Sequence, residues 1–157
     1  MHEGGAPAAL AIACVLLSGC FAAKAIQAYP GPERSPGEIA TITAWDHPTW
    51  ADLQGIIYIV KVDGVKVGGT KWDWDRVGQV TVEPGVHVVH VFFRRGYFES
   101  AYLVPIRIAA APGGLYEIHG KEVRRGPVAT NEEDLKVWVI NRRTGEDVTA
   151  EKGLVQQ

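Results

Sequence analysis

The chain has 157 residues, one domain's worth, and a formal net charge of −2, which removes any bulk electrostatic case for nucleic acid. It has only two cysteines, Cys14 and Cys20. Both fall in the first twenty residues, so the remainder has no disulfide, no thiolate nucleophile and no Cys metal ligand.

The chain opens on an apolar run of about ten residues, 8–17, too short to span a bilayer, which takes roughly 20. Leu17-Ser18-Gly19-Cys20 follows: two small side chains, then a thiol. This order resembles the lipobox of bacterial lipoproteins. The resemblance implies that residues 1–19 are a removed signal peptide and that Cys20 becomes a lipidated N-terminus moored in a membrane. Phe21 stands where an Asp usually retains lipoproteins at the inner membrane, so the expected location is the outer membrane, facing the periplasm. A thiol-free remainder suits that oxidising compartment.

Residues 20–38 read as the lipidated Cys and a flexible tether. Tyr29-Pro30-Gly31-Pro32 and Ser35-Pro36-Gly37 exclude helix and central strand. Such a stretch spans about 20–25 Å when flexible.

A single β domain is expected over 39–149, with a loose tail at 150–157. Ile39-Ala40-Thr41-Ile42-Thr43 alternates as a short strand, and Asp46-His47-Pro48 breaks it. Residues 55–62 are rich in β-branched and aromatic side chains. Asp63-Gly64, lying between two β-prone runs, is a strong hairpin signal, because a type I′ turn needs positive φ at both centres. A strand over 77–82 ends at Pro84-Gly85. Residues 86–93 are the most hydrophobic strand, apolar on both faces, and should be central and covered on both sides.

Residues 102–110 form a further strand that Pro105 demotes to an edge or a bulge. Pro112-Gly113-Gly114 leads to a strand over 115–119. A polar loop, 121–134, precedes the last long strand at 136–141, and Thr144-Gly145 turns it toward 146–149. Eight or nine short strands between Gly/Pro turns, with no helix of normal length, predict an all-β fold: an antiparallel β-sandwich, with a small β-barrel as runner-up.

Val62-Asp63-Gly64, Gly68-Gly69-Thr70, Val82-Glu83-Pro84-Gly85-Val86-His87-Val88-Val89 and Gly96-Tyr97 resemble a PEGA-type domain, a small sandwich of surface and envelope proteins. The match covers about a quarter of the chain. Lys71-Trp72 stands where that pattern has proline, and residues 72–78 look like an insertion. The resemblance implies an immunoglobulin- or transthyretin-like sandwich and an envelope location, and it brings no catalytic residues.

Three constellations carry candidate chemistry. In Lys71-Trp72-Asp73-Trp74-Asp75, a period of two puts Trp72 and Trp74 on one face and Asp73 and Asp75 on the other. Exposed indoles would stack on a sugar ring while the aspartates bind hydroxyls; the plainer alternative is two tryptophans capping an open end of the sandwich. Arg94-Arg95 and Arg124-Arg125 each close a strand. They lie at one end if the strands starting at Val86, Tyr102 and Leu115 form an up-and-down meander, and four guanidiniums there would suit lipid phosphates or another anion. Ordinary solvated turn arginines, answered by Glu99, Glu122 and Glu132, are the alternative. His87 and His90, three apart on a strand, face opposite ways and cannot share a metal, which favours structural roles.

Enzyme logic finds little, since neither Ser35 nor Ser100 lies in a Gly-x-Ser-x-Gly turn and no phosphate-cradling loop is present. No catalytic residue, cofactor or metal is assigned. The expectation is a membrane-anchored binding or scaffold module with an envelope protein or glycan as partner. Peptidoglycan binding through Trp72 and Trp74 is the second reading, and a hydrolase a weak third.

Overall fold

The computed structural model describes residues 25–44, 56–68, 77–95, 98–100, 102–122 and 135–149. They contain ten strands and no helix. The strands form two sheets with separate edges, a sandwich rather than a closed barrel. The first sheet has the order β1-β5-β2-β9-β10: β1 (Ile26–Gln27), β5 (Gln79–Val82), β2 (Ala40–Ala44), β9 (Leu115–Glu122) and β10 (Leu135–Asn141). The second runs β4-β3-β6-β7, with β8 also on β6: β4 (Val65–Lys66), β3 (Ile56–Val62), β6 (Gly85–Arg95), β7 (Phe98–Glu99) and β8 (Val104–Ala110). Pairing is antiparallel except for β1 with β5 and β2 with β9, which are parallel.

Alternation builds the core. Ala40, Ile42 and Ala44 of β2, Val80 and Val82 of β5, and Tyr116 and Ile118 of β9 face inward. Ile57 and Ile59 of β3, Val89, Val91 and Phe93 of β6, and Ile106 and Ile108 of β8 meet them from the other sheet. Period two would turn Val62 away from the face of Ile59. A register shift between Ile59 and Lys61 adds the residue that returns Val62 to the core.

Turn chemistry is as the sequence predicts. Asp63 and Gly64 both have positive φ, 49° and 81°. Glu83-Pro84 makes a corner, carrying the chain from one sheet to the other.

Coverage of β6 is more local than two apolar faces suggest. Phe92 is buried with Tyr58 and Val60 in a second cluster on the outer face, against Ile56 and Leu103. Val86, on that same face, is 61% exposed. Pro105 lies on β8, which pairs only with β6 among the described residues.

Two expectations are corrected. The strand starting at Leu115 does not continue a meander: β6 and β8 pair, but β9 crosses into the other sheet. The tether is, from Ile26 onward, built onto the sandwich. Ile26 and Gln27 pair with Val80 and Thr81, and the Ala28 N–H continues to the Thr81 carbonyl at 2.9 Å. Gln27 Nε2 then donates to the carbonyls of Tyr29 and Gly31, which holds the Pro/Gly turn against the sheet. The prolines do exclude helix there, but extended backbone without a long strand can still cover a sheet edge.

Candidate functional site

Strand polarity gives the sandwich two distinct ends. Glu83-Pro84 joins the end of β5 to the start of β6, and residues 111–114 join the end of β8 to the start of β9. That end is closed by short turns. The opposite end holds the last residues of β2, β6 and β9 and the first of β3, β5 and β10.

At the turn end, His87 is the hub. Its alternation partners Val89, Val91 and Phe93 enter the core, so the imidazole sits over the core's rim, with its side chain 13% exposed. Nδ1 lies 2.6 Å from Asp63 Oδ2, and Nε2 lies 2.7 Å from the Glu83 carbonyl oxygen. Both partners accept, so satisfying both takes a proton on each nitrogen, the imidazolium. Asp63 Oδ1 also accepts the Val88 N–H at 2.8 Å. The Glu83 carboxylate pairs with Arg34, whose guanidinium lies 5.6 Å from the centre of the Tyr29 ring. The ring therefore ties the Asp-Gly turn to the Pro-Gly corner, and Arg34 ties the N-terminal segment to that corner.

Burial pushes the Asp63 carboxyl up, but the His87 hydrogen bond, the Val88 N–H and the His87 charge together outweigh it, leaving it below the ordinary value. A carboxylate held low contributes stability that is fully present above the unfolded value, near 4, and is lost as pH falls through the folded one. Asp63→Asn is expected to shrink the drop in urea midpoint between pH 6 and pH 3. Glu38 and Asp147, held low by the hydroxyls and N–H groups of Ser35 and Thr149, keep the remainder. An unchanged drop in the variant would contradict the Asp63 assignment.

The second constellation lies on the outer face of the first sheet. Glu117, His119 and Lys121 alternate with Tyr116, Ile118 and Gly120, so the polar set faces outward. Trp138 is the register partner of His119, and the rings stack at 5.5 Å with 12° between planes. The Lys136 ammonium lies 6.0 Å from the Trp138 ring centre. Glu117 reaches His119 Nε2 at 3.5 Å and Arg142 Nε at 3.1 Å. Thr43 is the register partner of Glu117, and its hydroxyl accepts from Gln79 Nε2 at 3.4 Å. The result is a surface of one indole, one imidazole, a carboxylate and hydroxyls. It is suited to hydrogen bonding and ring contact with a ligand or another chain.

Sequence reasoning passed over Trp138, although the signal was present. Val137 and Val139 bracket Trp138, so a core-facing pair puts the indole on the other face.

The sequence-derived candidates are largely not brought together by what the structure describes. Cys20, Trp72, Asp73, Trp74, Asp75, Arg124, Arg125 and His47 lie outside the described residues. Arg94 and Arg95 end β6, and β9 ends at that same end of the sandwich just before Arg124-Arg125; the meander argued for them is not what puts the two strand ends there. Arg142 and Arg143 follow β10 at the turn end. Ser100 is buried, its hydroxyl accepting the Phe93 N–H at 3.1 Å. The Ser35 hydroxyl donates to Glu38 at 2.6 Å. His90 is on the face opposite His87, alongside Phe92. Among the described residues, no three His, Cys, Asp or Glu side chains are grouped to hold a metal.

No protein-family model matches this chain, and neither does any curated protein or solved structure.

Proposed function

We propose that this chain is a membrane-anchored envelope lipoprotein, fixed through Cys20, whose periplasmic, PEGA-like sandwich is a binding or scaffold module. The observation that carries the anchor is Leu17-Ser18-Gly19-Cys20 behind a short apolar run, with no other thiol beyond Cys14. The binding role is supported by the outer face of the first sheet, where Trp138, His119, Glu117 and Thr43 lie on one rigid strand surface. A site carried on strands holds its groups more firmly than one on loops.

Peptidoglycan binding is the second reading. Trp72 and Trp74 alternate with Asp73 and Asp75, the pairing of ring faces and hydroxyl partners that a glycan strand takes. Against a platform at Trp138 alone, that ring is already engaged by His119 and Lys136.

Photo-crosslinking in intact cells tests the binding role. A photoreactive residue at Thr41 or Lys121, on the outer face, should trap one recurrent envelope protein or glycan fragment. The same residue at the exposed Val65, on the other sheet, should not. No adduct from either outer-face position, in cells where the protein is folded and abundant, would sink the module reading.

A further inference from the structure

The edges of the two sheets are mostly short or covered. β1, β4 and β7 have two residues each. β10 is met on its outer side by residues 146–149. Ile140 bridges to Asp147, the Val148 N–H donates to the Val139 carbonyl, and the Asn141 N–H donates to that of Glu146. β8 is different. It has seven residues and pairs along its length with β6, and among the described residues no strand lies on its other side.

Pairing parity identifies the backbone groups that β8 leaves free. The Asp63 N–H donates to the Val88 carbonyl, and the Ser100 N–H donates to the Phe93 carbonyl. Even residues along this part of β6 therefore turn their backbone groups toward β3, and odd ones toward β7 and β8. The β8 residues opposite the odd ones are Val104, Ile106, Ile108 and Ala110. Pro105, Arg107 and Ala109 are left with their backbone groups pointing away from β6. Proline has no N–H, so this edge offers two donors and three carbonyls.

The side chains follow the same alternation. Pro105, Arg107 and Ala109 are exposed, whereas Ile106, Ile108 and Ala110 are buried. A strand added here would set every second residue in solvent beside the exposed three, and the others at the rim of the core beside Ile106 and Ile108. Arg107 stands opposite Val88, and no carboxylate pairs with it among the described residues. Lys61 and Lys66, register partners farther across the same sheet, likewise have no acidic partner there.

We propose that β8 receives an extended, acidic segment of a partner protein as an added strand, with apolar residues toward Ile106 and Ile108 and a carboxylate beside Arg107. Backbone hydrogen bonds supply the hold, and the alternating side chains supply the selection. A second copy of this chain fits the edge less well. Two β8 strands running antiparallel about Arg107 would set the guanidiniums opposite each other. They would also set Pro105 against Ala109, whose carbonyl would find no N–H. The site lies on the second sheet and depends neither on the Trp138 face nor on Cys20.

Amide hydrogen exchange by NMR, on the full chain in detergent micelles, tests this. The probes are the synthetic peptide Thr-Val-Glu-Val-Glu-Val-Thr and its analogue with lysine in place of glutamate. In the protein alone, the Ile106 and Ile108 amides should exchange slowly and those of Arg107 and Ala109 fast. The glutamate peptide should slow Arg107 and Ala109 at least tenfold, and the lysine peptide should not. Ala109→Pro removes an outward donor without touching the bonds to β6, so it should weaken binding at least tenfold at an unchanged urea midpoint. Arg107→Glu should reverse the preference toward the lysine peptide.

Slow exchange at Arg107 and Ala109 in the protein alone overturns the proposal. If it persists on dilution the edge is covered by the chain itself, and if it is lost on dilution a second copy is the occupant. Absence of binding by the glutamate peptide, binding that leaves these two amides unprotected, or binding that both variants leave unchanged also overturns it.

Discussion

Phe93→Ala is expected to destabilise the sandwich by about 3–5 kcal/mol, the range for removing a buried aromatic ring from a core. Phe93 is fully buried near the C-terminal end of β6, the strand on which β3, β7 and β8 all pair. Its ring reaches across to the opposite sheet, where Gly120 of β9 makes room: a Cβ there would stand 3.3 Å from the ring and 3.0 Å from Ile57 Cδ1. Both sheets were shaped around that side chain, so the space it leaves cannot close cheaply. Small domains hold together by about 5–15 kcal/mol, so the variant should lie near the edge of folding. With a slope of about 1–3 kcal/mol per molar urea, the midpoint should fall by about 1 M or more. Val86→Ala, seven residues earlier on the same strand but 61% exposed, should stay within about 0.5 kcal/mol of wild type. Similar midpoints for the two variants would mean that the sheets do not close on Phe93.

Cys20→Ser is expected to move the protein from the membrane fraction to the soluble fraction without loosening the fold. Each buried methylene of an acyl chain contributes about 0.8 kcal/mol, one chain holds only marginally, and stable mooring takes a second. A lipoprotein-type cysteine carries at least two, so under the proposed anchor removing the thiol removes both chains at once. The net charge is −2, and no helix of the described residues is long and apolar enough to cross a membrane. Cys20 precedes the first strand by six residues, so urea midpoints of the variant and the parent domain should agree within about 0.5 kcal/mol. A serine variant that still sediments with membranes would show that another part of the chain holds it there.

Much of the fold was legible because strand signals are local. Ile57, Ile59, Val89 and Val91 announce themselves by β-branching and alternation, and Asp63-Gly64 by the backbone angles that only a few residues tolerate. What was not legible was long-range. Nothing near Leu115 says that its strand pairs in parallel with β2 rather than continuing beside β8, because sheet choice depends on contacts some seventy residues apart. β1 was missed because two residues contain no period, and the prolines after it speak for a loop whether or not the loop is docked.

The candidate site divides the same way. His87 sits beside a Pro-Gly pair that marks its corner, but its partner Asp63 lies 24 residues back, and only the pairing of β3 with β6 brings them together. The Trp138–His119 stack depends on the register of β9 against β10, which spacing alone cannot set.

The mass of the N-terminal peptide of the mature protein, isolated from membranes, bears most directly on the whole reading. A peptide beginning at Cys20 and heavier than its sequence by a diacylglyceryl group is the predicted result. A peptide beginning upstream of Cys20, or one with an unmodified thiol, would contradict it. In that case the β-sandwich would stand without the proposed mooring.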